Sequence, residues 1–228
     1  MELLEALRTT GAIREFRPDP VADDVLWRIL DAARFAPSGG NVQGWRVVVV
    51  SDADKKRRLR DLYLPGWYDY LALASAGLRP WAPVNDRAAE AAALPGAGDI
   101  AARAAASPGF AEQLDQVPVL LALFADLSAL AAVDRDSDRY SFAGGASVYP
   151  FAWSVLLAAR EEGLGGVMTT MAIRRETEVK TLFDAPDHLA LAAVIALGHP
   201  VHQPRRLTRT PVDGFATVDS FSGEPFRP

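Results

Sequence analysis

Apolar positions along the chain recur with two different periods, and the changes between them mark out the elements. From Val21 to Phe35, residues Val25, Leu26, Ile29, Leu30 and Ala33 fall at helical spacing behind Asp23 and Asp24, acids placed where the helix dipole favours them, and Pro37 ends the pattern. Val47 to Val50 is a short, β-branched, uncharged run that predicts a strand covered on both faces and central in its sheet. Asp52 or Asp54 can cap a basic, solvated helix over Lys55 to Leu62. Val119 to Ala125 and Leu189 to Leu197 predict buried strands, the second broken by Gly198, and Ser147 to Glu161 predicts a helix around Trp153, Leu156 and Leu157. Strands separated by helices give an α/β or α+β sandwich whose connection order the pattern leaves open.

Two stretches depart from this periodicity. Between Tyr63 and Pro118 the chain passes from aromatic residues (Trp67, Tyr68, Tyr70, Trp81) to Ala-, Gly- and Pro-rich sequence, which predicts an inserted lid-like segment over 63–118 within one domain spanning 1–228. The tail from Pro200 to Pro228 is rich in proline and arginine with little periodicity, as expected of chain crossing a surface, its own or that of a second subunit.

Composition narrows the class. Half of the 228 residues are hydrophobic, enough for one sizeable core, and the net charge of −5 offers no global basic field for nucleic acid or anionic lipid. Small molecules or protein partners fit better. With no cysteine, disulfides, thiolate catalysis and cysteine-held metals are excluded. Tyr140 to Ala159 is uncharged over about the 20 residues that a membrane span needs. Its Gly144-Gly145 pair, Pro150 and hydroxyls predict instead a helix buried in the protein or at a subunit interface. Met1 to Arg8 reads as a helix of the mature chain, and the expected compartment is the cytoplasm.

Three segments carry candidate chemistry. In Ala36-Pro37-Ser38-Gly39-Gly40-Asn41, two glycines permit positive φ and close approach of backbone to a ligand, although such turns also serve as plain helix-to-strand punctuation. Arg8-Thr9-Thr10-Gly11-Ala12-Ile13-Arg14 sets two guanidiniums and two hydroxyls around a glycine, a combination suited to phosphate. Arg205, Arg206 and Arg209 join it if the tail folds back. Gly163 to Met171 predicts a turn presenting Thr169 and Thr170. Asp134, Asp136 and Asp138 begin a calcium-loop spacing that Arg139 and Gly145 break, and His188, His199 and His202 lack zinc spacing. Ser38 has no nucleophile-elbow context, and GxGxxG and Walker loops are absent. What remains is chemistry performed by a bound cofactor.

The order of these pieces resembles the FMN-dependent nitroreductase superfamily, which includes flavin reductases and iodotyrosine dehalogenases. The most specific part is Ala33-Arg34-Phe35-Ala36-Pro37-Ser38-Gly39-Gly40-Asn41-Val42-Gln43-Gly44-Trp45-Arg46, preceded by Arg14-Glu15-Phe16-Arg17-Pro18-Asp19-Pro20-Val21. The Gly163-Leu164-Gly165 turn, Gly198-His199-Pro200 and Arg209-Thr210-Pro211 follow in the same order. The resemblance implies an α+β three-layer sandwich around a mostly antiparallel sheet, in an intertwined homodimer with FMN at the subunit interface.

It further implies that Thr10, Gly11, Ala12, Ile13, Arg14 and Arg209 bind the FMN phosphate and pyrimidine, and that Pro37, Ser38, Gly39 and Asn41 line the ring. Met168, Thr169 and Thr170 would face N5, with Thr170 the N5 partner. No side chain serves as nucleophile. Gln43, Trp67, Tyr68 and Tyr70 are the implied substrate residues, NADH or NADPH the donor, and a planar or aromatic compound such as a nitroaromatic or quinone the acceptor, in ping-pong fashion. Other readings are an FMN-sequestering protein without turnover and a dedicated dehalogenase-like flavoenzyme. Thr10-Gly11 stands where the family often has Arg-Arg, Ala12 where serine is common and Gly44 where proline is usual, so Arg8, Arg206 or Arg209 would have to compensate at the phosphate.

Overall fold

The computed structural model describes residues 1–138 and 143–228. In chain order the helices and strands are α1 (Leu3–Thr9), α2 (Asp23–Ala33), β1 (Trp45–Val50), α3 (Ala53–Ser75), α4 (Arg87–Ala93), α5 (Ala97–Ala106), β2 (Val119–Asp126), α6 (Tyr149–Glu161), β3 (Gly165–Thr169), α7 (Glu176–Leu182) and β4 (Leu189–Gly198). The strands form an antiparallel sheet in the order β1-β2-β4-β3.

Because side chains alternate across a strand, β2 divides its residues between two cores. Leu121 and Leu123 pack with Leu26 and Ile29 of α2 and Val155 of α6 on one face. Leu120, Ala122 and Phe124 pack with Leu59, Leu62 and Tyr63 of α3 and Val179 of α7 on the other. All eight β2 residues are buried, as a strand covered on both faces requires. The result is the expected α+β three-layer sandwich.

Four expectations change. β1 is an edge strand of this sheet rather than a central one. Val47 and Val48 do pack into the two opposite cores, so both faces are used, but no strand among the described residues pairs with the outer edge, and Val49 is 45 % exposed. An uncharged run reports covered faces and says nothing about the edge. The basic helix does not end at Leu62 but continues through Pro65 to Ser75. Leu59, Leu62 and Tyr63 anchor it before the exposed proline, and Gly66, Ala72 and Leu73 after it, so tertiary packing carries the helix past the lost hydrogen bond. Asp52 is its cap, accepting from the Lys55 amide at 2.8 Å.

Gly163 to Met171 holds a strand, β3, not a turn, because the small glycines let it lie flush against β4. Finally, the helix expected from Ser147 starts at Tyr149, and within one chain it is buried on one side, with Phe151, Ala152, Val155, Leu156 and Ala159 buried while Tyr149 and Trp153 are each 39 % exposed, so of the two burials expected for it the one inside a single chain does not hold all round. The first residues of the uncharged stretch, 140–142, lie outside the described residues, as does Arg139. Among the described residues no helix is long and apolar enough to cross a membrane. Within the segment 63–118, the second half of α3 packs against α5, with Ala72, Leu73 and Ile100 buried.

Candidate functional site

The chain leaving α1 is laid along the outer side of β3. Ala12 bridges Gly166 in parallel, and the Ile13 amide donates to the Gly166 carbonyl at 2.9 Å. The approach depends on the side chain missing at Gly165, where a Cβ would lie 2.7 Å from Ile13 Cγ1, whereas the one missing at Gly166 serves the pairing with β4, since a Cβ there would lie 2.7 Å from the Ala196 carbonyl oxygen. Ile13 is buried by this seat while Arg14 stays exposed. Thr10 is 7 % exposed and its Oγ1 has no hydrogen-bond partner among the described residues, an unusual state for a buried hydroxyl and one that a ligand oxygen would relieve.

The tail does fold back onto this segment. The Arg17 amide donates to the His199 carbonyl at 2.8 Å, the Val201 amide to Glu15 at 3.0 Å, Gln203 Nε2 to the Thr9 carbonyl at 2.8 Å and the Leu207 amide to Arg8 at 3.0 Å. Leu207 and Pro204 lie over Gly11. Arg205, Arg206 and Arg209 are thereby carried to the neighbourhood of Arg8 and Thr10. Arg209 is exposed and spends one donor on the Thr208 carbonyl at 2.7 Å, leaving the rest of its fork for an anion. A cavity of about 600 Å³ opens beside Arg14, lined also by Phe16, Arg17, Phe110, Gln113 and Val201.

The opposite wall comes from α3. Tyr63, Trp67 and Tyr70 follow one another at helical spacing, with ring centroids 6.4 and 5.5 Å apart, the second pair within 7° of parallel. Trp81 continues the row at 6.2 Å, and the Arg174 guanidinium lies 4.7 Å above Trp81. At the other end the Tyr63 hydroxyl is 3.2 Å from Thr169 Oγ1, joining the aromatic row to the end of β3. Burial pushes the Tyr63 phenol up, against opposing effects of the Thr169 hydrogen bond and the positive charge of Arg14. Tyr68, half-buried near Glu112, is also pushed up by burial. Met168 points to the α2–α6 core, Thr169 toward α3, and Thr170 is exposed just beyond the strand.

The Pro37–Asn41 turn lies elsewhere. Ser38 Oγ accepts from the Gln43 amide and Ser147 Oγ from the Gly39 amide, both at 3.0 Å, and Gly40, Asn41 and Gln43 all have positive φ. Two of these three are not glycine, so the loop holds backbone strain of the kind found at ligand sites. It leads into β1, whereas Thr10–Arg14 sits on β3, and these are opposite edges of the sheet, three strand spacings or about 14 Å apart. They also lie toward different ends: Trp45 pairs with Ala125 and in turn Ala190, while Gly165 pairs with Gly198. One chain therefore brings together Thr10–Arg14, Met168–Thr170, Trp67, Tyr70 and the tail arginines, and keeps Pro37, Ser38, Gly39, Asn41 and Gln43 away from them. Arg174 was not foreseen, and neither was the link from Tyr63 to Thr169. The spacing of residues 63, 67 and 70 marks Tyr63, but only once α3 is known to continue past Leu62.

Similarity to known proteins agrees with this architecture. The model of the Nitroreductase family matches residues 7–199. The chain is 30% identical over 202 residues to an NADH dehydrogenase of Thermus thermophilus, covering 89% of this chain and 88% of that protein. It is 23% identical over 220 residues to an FMN reductase [NAD(P)H] of Bacillus subtilis, covering 92% and 70%. A crystal structure of oxidised iodotyrosine deiodinase bound to FMN and 3-iodo-L-tyrosine superimposes with a TM-score of 0.66 at 23% identity, over 96% of this chain and all of that one, which speaks for the fold. On the family match and the shared sandwich, the chain belongs to the nitroreductase family of oxidoreductases.

Proposed function

We propose that this chain is an FMN-dependent oxidoreductase that takes electrons from NADH or NADPH and passes them to a planar or aromatic acceptor such as a nitroaromatic or quinone. The observation that carries the reading is the convergence of a buried, unpartnered Thr10 hydroxyl, the exposed Arg14 and the folded-back arginine tail on one sheet edge, beside the hydroxyl-bearing end of β3. This donor set fits a phosphate at one end and a polar heteroaromatic ring at the other. FMN held there supplies reversible hydride chemistry.

The chain's own part is to bind, orient and shield. Thr10 Oγ1 would donate a hydrogen bond to the phosphate and the guanidiniums of Arg8, Arg206 and Arg209 would neutralise its charge, taking over from the arginine pair absent at Thr10-Gly11. Arg14 offers positive charge to the electron-rich side of the ring, and Thr169 and Thr170 offer hydroxyls. Trp67 and Tyr70 present stacked aromatic surface, which selects planar partners and excludes water. Donor and acceptor use one face in turn, so initial-rate lines against either are parallel.

A second copy of the chain supplies the Pro37–Asn41 turn in this reading. The separation of the two sheet edges argues for it, and so do the exposed Tyr149 and Trp153 of α6 and Phe215, Phe221 and Phe226 of the tail, a run of large apolar groups that a lone chain leaves in water. The expected solution mass by light scattering is therefore that of a dimer, and a monomer mass would remove this wall from the site.

The deciding experiment is the visible spectrum of the purified protein with mass identification of the released chromophore, then anaerobic addition of NADH or NADPH and of a nitroaromatic or quinone. Bleaching and recovery are expected. A colourless protein that binds no added FMN refutes the proposal, and a flavin that is held but never bleaches marks a sequestering protein.

A further inference from the structure

Tyr63 is 2 % exposed, and its ring is wedged between the α3–α7 core and Trp67, so its hydroxyl is delivered to the end of β3 with little freedom to move. Thr169 Oγ1, at 3.2 Å, is the one partner of that hydroxyl among the described residues. A buried phenol that did not donate would strand its proton in apolar surroundings, so Tyr63 donates and Thr169 accepts. The phenol keeps its proton through neutral pH because burial pushes its pKa up. Thr169 is left with one proton of its own. A hydroxyl that already accepts a hydrogen bond is a stronger donor in the next, and Thr169 is only half-buried, beside a phenol that feels the positive charge of Arg14.

We propose that Tyr63 is a positioning residue: by donating to Thr169 it fixes the threonine hydroxyl as an outward donor to an acceptor atom of the bound ring. The proposal rests on the FMN reading given above. An oxidised flavin presents bare ring nitrogens that accept such a bond, whereas two-electron reduction turns the nitrogen that takes up hydride into an N–H donor. A hydroxyl held as donor thus favours the oxidised ring. With Tyr63 hydroxyl removed, Thr169 is free to rotate and accept from the reduced ring.

The test compares the flavin-loaded wild type with Y63F, T169V, T169S and the double variant Y63F/T169V, reading the midpoint potential of the bound flavin and the thermal melt. Y63F keeps the ring and its stack on Trp67, so the expected result is a folded, coloured protein whose midpoint moves positive by a tenfold shift in equilibrium, about 30 mV for a two-electron couple. T169V moves the same way, T169S stays at the wild-type value, and the double variant moves no further than T169V. An unshifted or negative midpoint in Y63F or in T169V overturns the proposal, as does a Y63F shift that persists undiminished in the T169V background. A loaded wild type with unshifted variants refutes this inference alone. A wild type that retains no flavin overturns the FMN reading together with it.

Discussion

Gly166→Ala tests the claim that β3 and the Thr10–Arg14 segment form one mechanical unit. A Cβ at this position would overlap Leu197 Cδ2, lie 2.7 Å from the Ala196 carbonyl oxygen and 3.0 Å from Leu156 Cδ2. The leucine ends can turn aside. The carbonyl cannot, because Ala196 belongs to β4, which is paired on both sides and wholly buried here. Relief therefore moves β3 away from β4 by several tenths of an ångström, and the Ile13–Gly166 hydrogen bond carries Ile13 and its neighbours along. Overpacking of this kind costs about 1–3 kcal/mol. For a chain of this size, that lowers the melting temperature by roughly 3–10 °C.

The assay is thermal unfolding followed by circular dichroism, with flavin affinity measured by fluorescence quenching on the same samples. Gly165→Ala is the internal comparison: the three atoms nearest its new Cβ all belong to the Ile13 side chain, Cγ1 at 2.7 Å, Cβ at 3.1 Å and Cγ2 at 3.2 Å, so Ile13→Ala removes the closest contact and part of the crowding in that background. The same change does nothing for Gly166→Ala, where backbone is the obstacle. A Gly166→Ala protein that melts within about 1 °C of wild type and binds FMN equally well would refute the reasoning.

Three further outcomes are expected. Arg209→Ala weakens FMN binding about 10- to 150-fold, the worth of about 1.5–3 kcal/mol for a hydrogen bond to a charged group, and undiminished affinity in a binding titration removes the tail from the phosphate site. Asp126, whose side chain is 10% exposed, is held below the usual carboxylate range first by the Ser128 hydroxyl and then by the Ser128 amide and the charges of Arg46 and His188. Since the lowered value belongs to the folded state, its stabilisation is complete above about pH 4, the unfolded value, and is lost as pH falls below it. The melting gap between wild type and Asp126→Asn, present at pH 7, accordingly closes in acid, and a gap that widens there contradicts the assignment. Trp67→Leu raises the KM for an aromatic acceptor about two- to tenfold while flavin retention holds, as loss of a stacking surface requires, and unchanged KM values assign Trp67 to packing alone.

How far the sequence reaches is clearest at individual elements. α2, β2 and β4 appear where their apolar periods place them, because each buries a regular set of side chains and the period is a local record of that burial. The glycine turn and the arginine tail were also legible as segments, since glycine and arginine announce backbone freedom and anion affinity wherever they stand. What local pattern does not encode is which segment lies beside which. Val47 to Val50 has the apolar character of a two-faced strand, yet only strand pairing decides that it stands at an edge. Lys55 to Leu62 reads as a complete helix, yet packing on both sides of Pro65 carries α3 to Ser75 and aligns Tyr63, Trp67 and Tyr70.

The site itself divides in the same way. Residue chemistry determined that Thr10 to Arg14, the Thr169-Thr170 pair and Arg209 are ligand-binding candidates. The tertiary structure decided that these meet on one edge of the sheet, that Tyr63 joins Thr169 across 106 positions of chain, and that the Pro37–Asn41 turn stands on the opposite edge. The physical reason is that burial and backbone preference act on each residue where it stands, and so leave a trace in the sequence. Strand order and long-range contact are settled by the packing of the whole chain.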